Sequence, residues 1–287
     1  MHDSLAGRVV LVTGAARGIG AHTARVAAAR GARVICLGLE PERLEEVAAA
    51  IDGAWFPCDV TDQDQLMAGV RHGVARFGRV DVVVANAGVA SRGTMAVGDI
   101  EAHVRTVEVN LIGVMRTVAA TVDEVTRARG YYLLVSSAAA FTALPGMAPY
   151  CAAKAGVEHF GNALRLELAH KGVAVGTAHP SWVDTDLVRD AQADMSSFRE
   201  TLGRLPAPFG SVTSVEACAT ALVDAIARRS RRVYVPRSVG LVQRLRTLMN
   251  GRLAERVLTR GSAEAVPRME AEVRGLDRPF GSHTVDR

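Results

Sequence analysis

The chain is nearly devoid of lysine. Of its 34 basic side chains only Lys154 and Lys171 are lysines, and the rest are arginines. Where a plain positive charge suffices this protein uses arginine, so a retained lysine hints that an amine with a movable pKa is needed; Lys171 is also accounted for by chance survival. Long apolar runs are missing as well. None approaches the ~20 residues of a membrane-spanning helix, and Met1 to Arg8 holds no apolar leader core, so a cytoplasmic protein is expected. The four cysteines, Cys36, Cys58, Cys151 and Cys218, form no CxxC pair, which argues for free buried thiols over a disulfide or zinc framework. The eight histidines lack metal-ligand spacing, and no metal is expected. There is no internal repeat and no low-complexity linker.

What is present fits a folded globular chain: 49% apolar and 22% charged residues over 287 positions, with a net charge of +4. β-Branched apolar runs alternate with helical stretches. Strands are expected at Arg8–Thr13, Arg33–Leu37, Ala54–Cys58, Val80–Ala85, Tyr131–Ser136, Val173–Ala178 and Arg232–Val235. Helices are expected at Ile19–Arg30, Pro41–Ile51, Asp62–Phe77, Asp99–Arg127, Tyr150–His170 and Ser214–Arg229. Helices between near-continuous apolar strands imply parallel β-α-β units covered on both faces. The fold class is therefore α/β, a single-domain Rossmann-like doubly wound parallel sheet flanked by helices, with its crevice at the carboxyl ends of the strands. Residues 1–236 read as one domain and 237–287 as a C-terminal extension.

The first strand runs into TGAARGIG, with Gly14, Gly18 and Gly20. A glycine cluster directly after a first strand and opening a helix lets backbone approach a pyrophosphate, with the helix N-terminus near Ile19 aimed at it. Further on, Tyr150 and Lys154 lie four apart near the start of a helix and share one face. A phenol is a poor base near neutrality, and a neighbouring ammonium is expected to favour its phenolate. Tyr150 then exchanges a proton with a substrate oxygen. Ser137 ends the fifth strand, and strand alternation turns it the opposite way from Ser136, so Ser137 is the candidate to hydrogen-bond the developing charge. Asn110 interrupts an apolar helical segment, and its buried amide needs partners.

Gly-x-x-x-Gly-x-Gly, followed in order by CDV at Cys58–Val60, NAG at Asn86–Gly88, Asn110, Ser137, Tyr150 and Lys154, resembles the short-chain dehydrogenase/reductase family of the classical type over roughly Gly7 to Val235. The resemblance implies an NAD(P)(H)-dependent oxidoreductase that interconverts a secondary alcohol and a ketone or aldehyde, with Asn110, Ser137, Tyr150 and Lys154 as its catalytic set. It implies cofactor contacts from Gly14, Arg17, Gly18, Ile19 and Gly20. Asp59 would cap the adenine, beside Val60, and Asn86, Ala87 and Gly88 would line the adenosine side; a turn cap is the competing reading of Asp59. Lys154 would hold the nicotinamide ribose and Asn110 a water that links Lys154 to solvent. In HPSWVDTDL (His179–Leu187) the resemblance places Pro180, Val183 and Thr185 over the nicotinamide, with Ser181 in place of the usual glycine; His179 reads as structural. A homodimer or homotetramer is implied too.

The second strand ends Leu37, Gly38, Leu39, Glu40. The missing Asp at Gly38 and the presence of Arg17 tip the reading to NADP(H); Glu40 folded back would favour NAD(H). The segment Val188–Val212 carries Met195, Phe198, Leu202, Leu205 and Phe209, which with Met147 and Trp182 either form an apolar substrate pocket or pack a lid. From Arg228 to Arg260 ten arginines face one acid, Glu255. Leu241, Val242, Leu245, Leu248, Met249 and Leu253 recur there at helical spacing, a basic amphipathic helix that packs on the domain or a partner subunit, or touches a membrane surface over 240–260. Nucleic acid is not expected as a partner. Pro279–Arg287 reads as loosely structured. Two other functions compete: an epimerase or dehydratase of related fold, and a non-catalytic nicotinamide-sensing binding protein.

Overall fold

The strand VVLVT (β1, Val9–Thr13) is buried along its whole length, as a β-branched run in the middle of a two-faced sheet must be. β2 (Arg33–Gly38) and β4 (Val82–Ala85) pair with it on either side. β3 (Ala54–Pro57) lies outside β2, and β5 (Tyr131–Val135), β6 (Ala174–Pro180) and β7 (Arg232–Val235) follow β4. The order β3-β2-β1-β4-β5-β6-β7 is parallel throughout. It reverses at β1, which places the crevice above the ends of β1 and β4. This is the doubly wound architecture expected from the sequence. The computed structural model describes residues 4–204, 210–249, 251–276 and 278–284.

Two apolar layers sandwich the sheet. α1 (Gly18–Ala29) and α9 (Val215–Arg228) cover one face, with Ala24, Ala27, Leu222 and Ile226 against Val10, Val12 and Val34. α3 (Gln63–Phe77), α5 (Gly113–Arg127) and α6 (Ala148–Ala169) cover the other, with Leu66, Val118 and Val157 against Leu11, Ile35 and Leu134. α2 (Pro41–Ala49) follows β2, with Pro41 at its first turn where its missing N–H costs nothing.

The single helix expected over Asp99–Arg127 is in fact three pieces. α4 (Ile100–Val107) passes into a π-helical turn at Glu108–Ile112 and then into α5. The Asn110 amide causes competition within the ladder: its Nδ2 donates to the carbonyls of Thr106 and Val89, at 2.8 and 2.6 Å.

The extension also departs from expectation. The basic amphipathic stretch is two helices, α10 (Val239–Met249) and α11 (Arg252–Arg274). In α10, Val239 and Val242 are buried against Phe141 and Tyr234, whereas Leu241, Leu245 and Leu248 face outward; the side chains of Met249 and Leu253 lie outside the described residues. Among the described residues no helix is long and apolar enough to cross a membrane. Residues 279–284 of the tail are not loose: Phe280 is buried and Ser282 and His283 are bonded to Asp190, whereas residues 285–287 lie outside the described residues. A buried Asp on the preceding lid gives that polar segment something to hold.

Candidate active site

At the end of β1 the backbone turns through Gly14 and Gly18, at φ of +64° and +53°, a region closed to most side chains. A Cβ on Gly20 would stand 2.1 Å from the Gly14 carbonyl oxygen, so α1 can approach the loop only with glycine there. Asn86 ties the loop to β4. Its side-chain nitrogen donates to the Thr13 and Gly14 carbonyls at 3.0 and 3.3 Å, and the Thr13 hydroxyl accepts from the backbone of Asn86 and Ala87. The first turn of α1 has no side-chain cap, which leaves its N–H groups for an anion.

This loop opens a cavity of about 700 Å³. Gly14, Arg17, Gly18, Ile19, Asp59, Val60, Asn86, Ala87 and Gly88 line it, as do Asn110, Ser137, Tyr150, Lys154, Pro180, Val183 and Thr185. Gly20 lies behind the wall, against Gly14. The glycine cradle, the uncapped helix start and an orphaned amide oxygen on Asn110 suit a dinucleotide, and the cavity has the size for one.

At one end, Arg17 Nε donates to Glu40 Oε2 at 2.7 Å and a second guanidinium nitrogen bonds Oε1. Arg17 Nη1 also lies 3.6 Å from Asp186 Oδ2. Glu40, Gly38 and Leu39 all face the cavity, so the carboxylate does fold back. Asp59 is half spent locally. Its Oδ1 accepts from Thr61, backbone at 2.9 and hydroxyl at 2.8 Å, and its Oδ2 from Arg105 at 2.7 Å. Burial raises its pKa, but these bonds outweigh burial and hold the carboxyl below its ordinary range. Arg105 is a cleft residue that sequence reasoning passed over, since nothing in its surroundings sets it apart from the other arginines.

At the other end, Tyr150 and Lys154 share the cavity face of α6. Lys154 Nζ lies 5.5 Å from the Tyr150 ring centre and donates to the Val135 carbonyl at 3.0 Å. The ammonium does not by itself make the phenol acidic, contrary to the sequence reading. Burial pushes Tyr150 up to about 12 while the Ser137 hydroxyl pulls the other way; burial brings Lys154 down to about 8. Lys154 is buried and Tyr150 half-buried, and desolvation of the charged form is the largest cause of shift at each. The Ser137 hydroxyl donates to the Pro180 carbonyl at 3.3 Å, and the buried Ser136 hydroxyl to the Lys154 carbonyl at 2.7 Å. A Cβ on Gly88 would stand 2.7 Å from Asn110 Oδ1 and 3.6 Å from Lys154 Nζ, so the three converge.

His179 is fully buried, with Nε2 2.8 Å from Glu158 Oε2 and its ring stacked on Tyr234. Glu158 one turn beyond Lys154, and Arg232 on β7, complete a buried ionic group that no local sequence pattern announces. All four cysteines are free, and burial pushes Cys36, Cys58 and Cys218 up to about 12. The expected apolar pocket does not line the cavity. Met195 and Leu202 are buried in packing and Phe198 sits edge-on to Trp182; Met147 is half-buried elsewhere, and Leu205 and Phe209 lie outside the described residues. These side chains follow the lid-packing alternative, because α7 (Asp186–Asp194) and α8 (Ser196–Arg204) need a core of their own. In their place the cavity takes Leu187, Val188, Phe280 and His283.

The short chain dehydrogenase family model matches residues 8–196. The chain belongs to the short-chain dehydrogenase/reductase family. It is 36% identical over 218 residues to cis-4-hydroxycyclohexanecarboxylate dehydrogenase of Sinomonas cyclohexanicum, a match that covers 72% of this chain and 87% of that one. It is 34% identical over 220 residues to an uncharacterized NAD-dependent oxidoreductase of Mycobacterium tuberculosis, covering 70% and 80%. A short-chain type dehydrogenase/reductase from Mycobacterium marinum superposes with a TM-score of 0.72 at 26% identity, over 81% of this chain and 95% of that one. The protein is thus an NAD(P)-dependent oxidoreductase acting on alcohol and ketone groups; the epimerase, dehydratase and binding-protein readings are not favoured.

Proposed function

We propose that residues 1–236 oxidise a compact, largely apolar secondary alcohol, or reduce the matching ketone, with Tyr150 as the proton acceptor or donor. The observation that carries this is the convergence of Ser137, Tyr150, Lys154 and the unpaired Asn110 Oδ1 in the cavity that the glycine loop opens. The bound nicotinamide supplies or accepts the hydride. Ser137 holds the substrate oxygen. The Tyr150 phenol gives or takes its proton, and Lys154 sets the charge beside it. Asn110 Oδ1, facing Gly88 and Lys154, anchors a water that carries protons from the amine outward. Gly14, Gly18, Ile19 and the NAG segment hold the dinucleotide; Pro180, Val183 and Thr185 close over the nicotinamide.

Geometry tilts the cofactor reading from NADP(H) to NAD(H). Glu40, folded back into the cavity, would accept a ribose hydroxyl and repel a 2′-phosphate, and Arg17 is already engaged by two carboxylates. The NAD-dependent relative supports the same reading. A ring-sized substrate is supported by the hydroxycyclohexanecarboxylate relative and by Leu187, Val188 and Phe280 in the wall. Family membership supports a homodimer or homotetramer.

The test is a Tyr150→Phe variant. It is expected to take up NADH as the parent does and to lose roughly 10²–10⁴-fold in turnover of cyclohexanol, the scale of a lost acid–base group. Parent-like turnover overturns the assignment.

A further inference from the structure

The extension crosses the substrate end of the cleft. A Cβ on Gly146, in the loop before α6, would meet Met269 Sδ at 2.3 Å, and one on Gly93, after the NAG turn, would meet Val273 Cγ1 at 2.9 Å. Both loops carry glycine where α11 lies on them. Polar contacts reinforce the seat: the Thr94 hydroxyl donates to Glu270 at 2.7 Å, and Glu272 accepts from the Ser197 backbone at 3.2 Å and from the Ser196 hydroxyl on the lid.

After α11 the chain turns back towards the cavity. Arg278 bonds Asp194 at 2.6 Å, and the Pro279 carbonyl accepts from the Arg92 backbone at 2.8 Å. Phe280 is buried. Asp190, a buried side chain of α7, then takes three donors from two consecutive tail residues: the Ser282 hydroxyl at 2.9 Å, the His283 backbone at 3.1 Å and His283 Nδ1 at 2.7 Å. Gly281 is needed for that approach, since a Cβ there would stand 2.3 Å from Asp190 Oδ2. A buried carboxylate is costly unless bonded, and most of the bonds on Asp190 come from this tail. Pro279, Phe280, His283 and Thr284 line the same cavity as Ser137 and Tyr150.

The geometry points to residues 279–284 as a strap, latched on Asp190, that walls the substrate end and limits the cleft to ring-sized secondary alcohols. This rests on the alcohol-oxidising reading above and adds to it the element that sets substrate size. The ring of Phe280 is the wall against which a compact substrate packs. The latch holds that ring in place, and a fused multi-ring alcohol would have to displace it.

Two variants test the strap: Phe280→Ala, which removes only the wall, and a chain ending at Arg278, which removes the whole segment. Each is assayed with cyclohexanol and with testosterone, a bulkier secondary alcohol, alongside NADH binding. The kcat/KM ratio of testosterone to cyclohexanol is expected to rise roughly tenfold or more in both, the scale for a changed apolar pocket, with the Kd for NADH within about twofold of the parent. An unchanged ratio, or an equal loss on both alcohols together with weaker NADH binding, overturns the proposal. If the shortened chain does not fold, Phe280→Ala decides alone. Amide hydrogen exchange separates this from the functional reading. The His283 amide is expected to be protected in the parent and unprotected in Asp190→Ala. A parent that oxidises neither alcohol yet protects His283 refutes the substrate reading and keeps the latch; an unprotected His283 in the parent refutes the strap whatever the activity.

Discussion

Arg17 grips Glu40 at the end of β2, with its Nε 2.7 Å from Oε2 and a second nitrogen on Oε1. The pair joins the glycine loop to the segment where dinucleotide enzymes of this fold discriminate the ribose. Arg43 adds a third partner, 3.4 Å from Glu40 Oε1. Neutralising Glu40 leaves two guanidinium groups without that carboxylate at one spot. Glu40→Gln is therefore expected to raise the kcat/KM for NADPH relative to NADH roughly tenfold or more, since a charged pair is replaced by an anion site. Steady-state rates with both nucleotides measure this. A ratio that stays where it was would show that Glu40 does not face the ribose.

Gly20 is a sharper test of the cradle than the other glycines. The atom its Cβ would meet is the Gly14 carbonyl oxygen, which is backbone and cannot swing away. Gly20→Ala is expected to cost about 1–3 kcal/mol of stability, the range for overpacking, and to weaken NADH binding as the loop is pushed outward. Gly203, in α8, has no neighbour within 4 Å of such a Cβ. Gly203→Ala should be neutral or stabilise by up to about 1 kcal/mol. Thermal melts and an NADH titration on the two variants check both halves; equal melting temperatures would refute the cradle argument.

Lys154, proposed to set the charge beside Tyr150, works against stability. Burial lowers its pKa from 10.5 to about 8. A folded-state pKa below the unfolded one means that the ammonium costs stability below about pH 8, and that the cost fades as pH rises towards 10.5, where the unfolded amine is neutral too. Lys154→Met removes this cost and also the bond to the Val135 carbonyl. The net gain at pH 7 is expected to be on the order of 2 kcal/mol, shrinking to nothing or reversing near the upper end of that window, while turnover falls. Denaturant melts from pH 7 to the upper limit of the window decide it. A variant no more stable than the parent at neutral pH would mean that the amine is solvated in the folded protein.

Much of this site could be read from local sequence because its parts are local. Gly14, Gly18 and Gly20 follow a strand and open a helix, and Tyr150 and Lys154 are one turn apart. Strand alternation separates the two serines, whose hydroxyls find different carbonyls, Pro180 for Ser137 and Lys154 for Ser136. The π-helical turn at Asn110 was not legible, because it arises from a side-chain bond to Val89, 21 residues away. The order in residues 279–284 was hidden for a similar reason: polar Ser282 and His283 look like a frayed end until Asp190 is set beside them. The apolar residues of the lid were legible as apolar, but periodicity does not say whether a side chain lines a cavity or fills a core, and Met195 and Leu202 do the second.

The buried ionic group behind the site is the last element to test. Glu158 Oε2 lies 2.8 Å from His179 Nε2 and accepts from Thr177 at 2.8 Å, and its Oε1 accepts from Arg232 at 2.7 Å. His179 Nδ1 lies 3.4 Å from the Ser137 carbonyl, so the group braces the strand end that carries Ser137. Burial raises the pKa of Glu158, but His179, Arg232 and Thr177 together hold it well below the ordinary glutamate range. A depressed folded-state pKa means that this carboxylate contributes its full stability above the unfolded value near 4.3 and loses it as pH falls through the folded one. Glu158→Gln leaves Arg232 and His179 without their anion. At pH 7 it is expected to cost roughly 3 kcal/mol, the low end for a broken buried pair because Arg232 keeps contact with water. The gap between parent and variant should then narrow below about pH 4, where the carboxylate of the unfolded parent takes up its proton while the folded one stays ionised. Chemical denaturation of both proteins across that range checks the sign. A gap that stays constant down to the acid limit would show that Glu158 is already protonated in the fold and that the brace is held by hydrogen bonds alone.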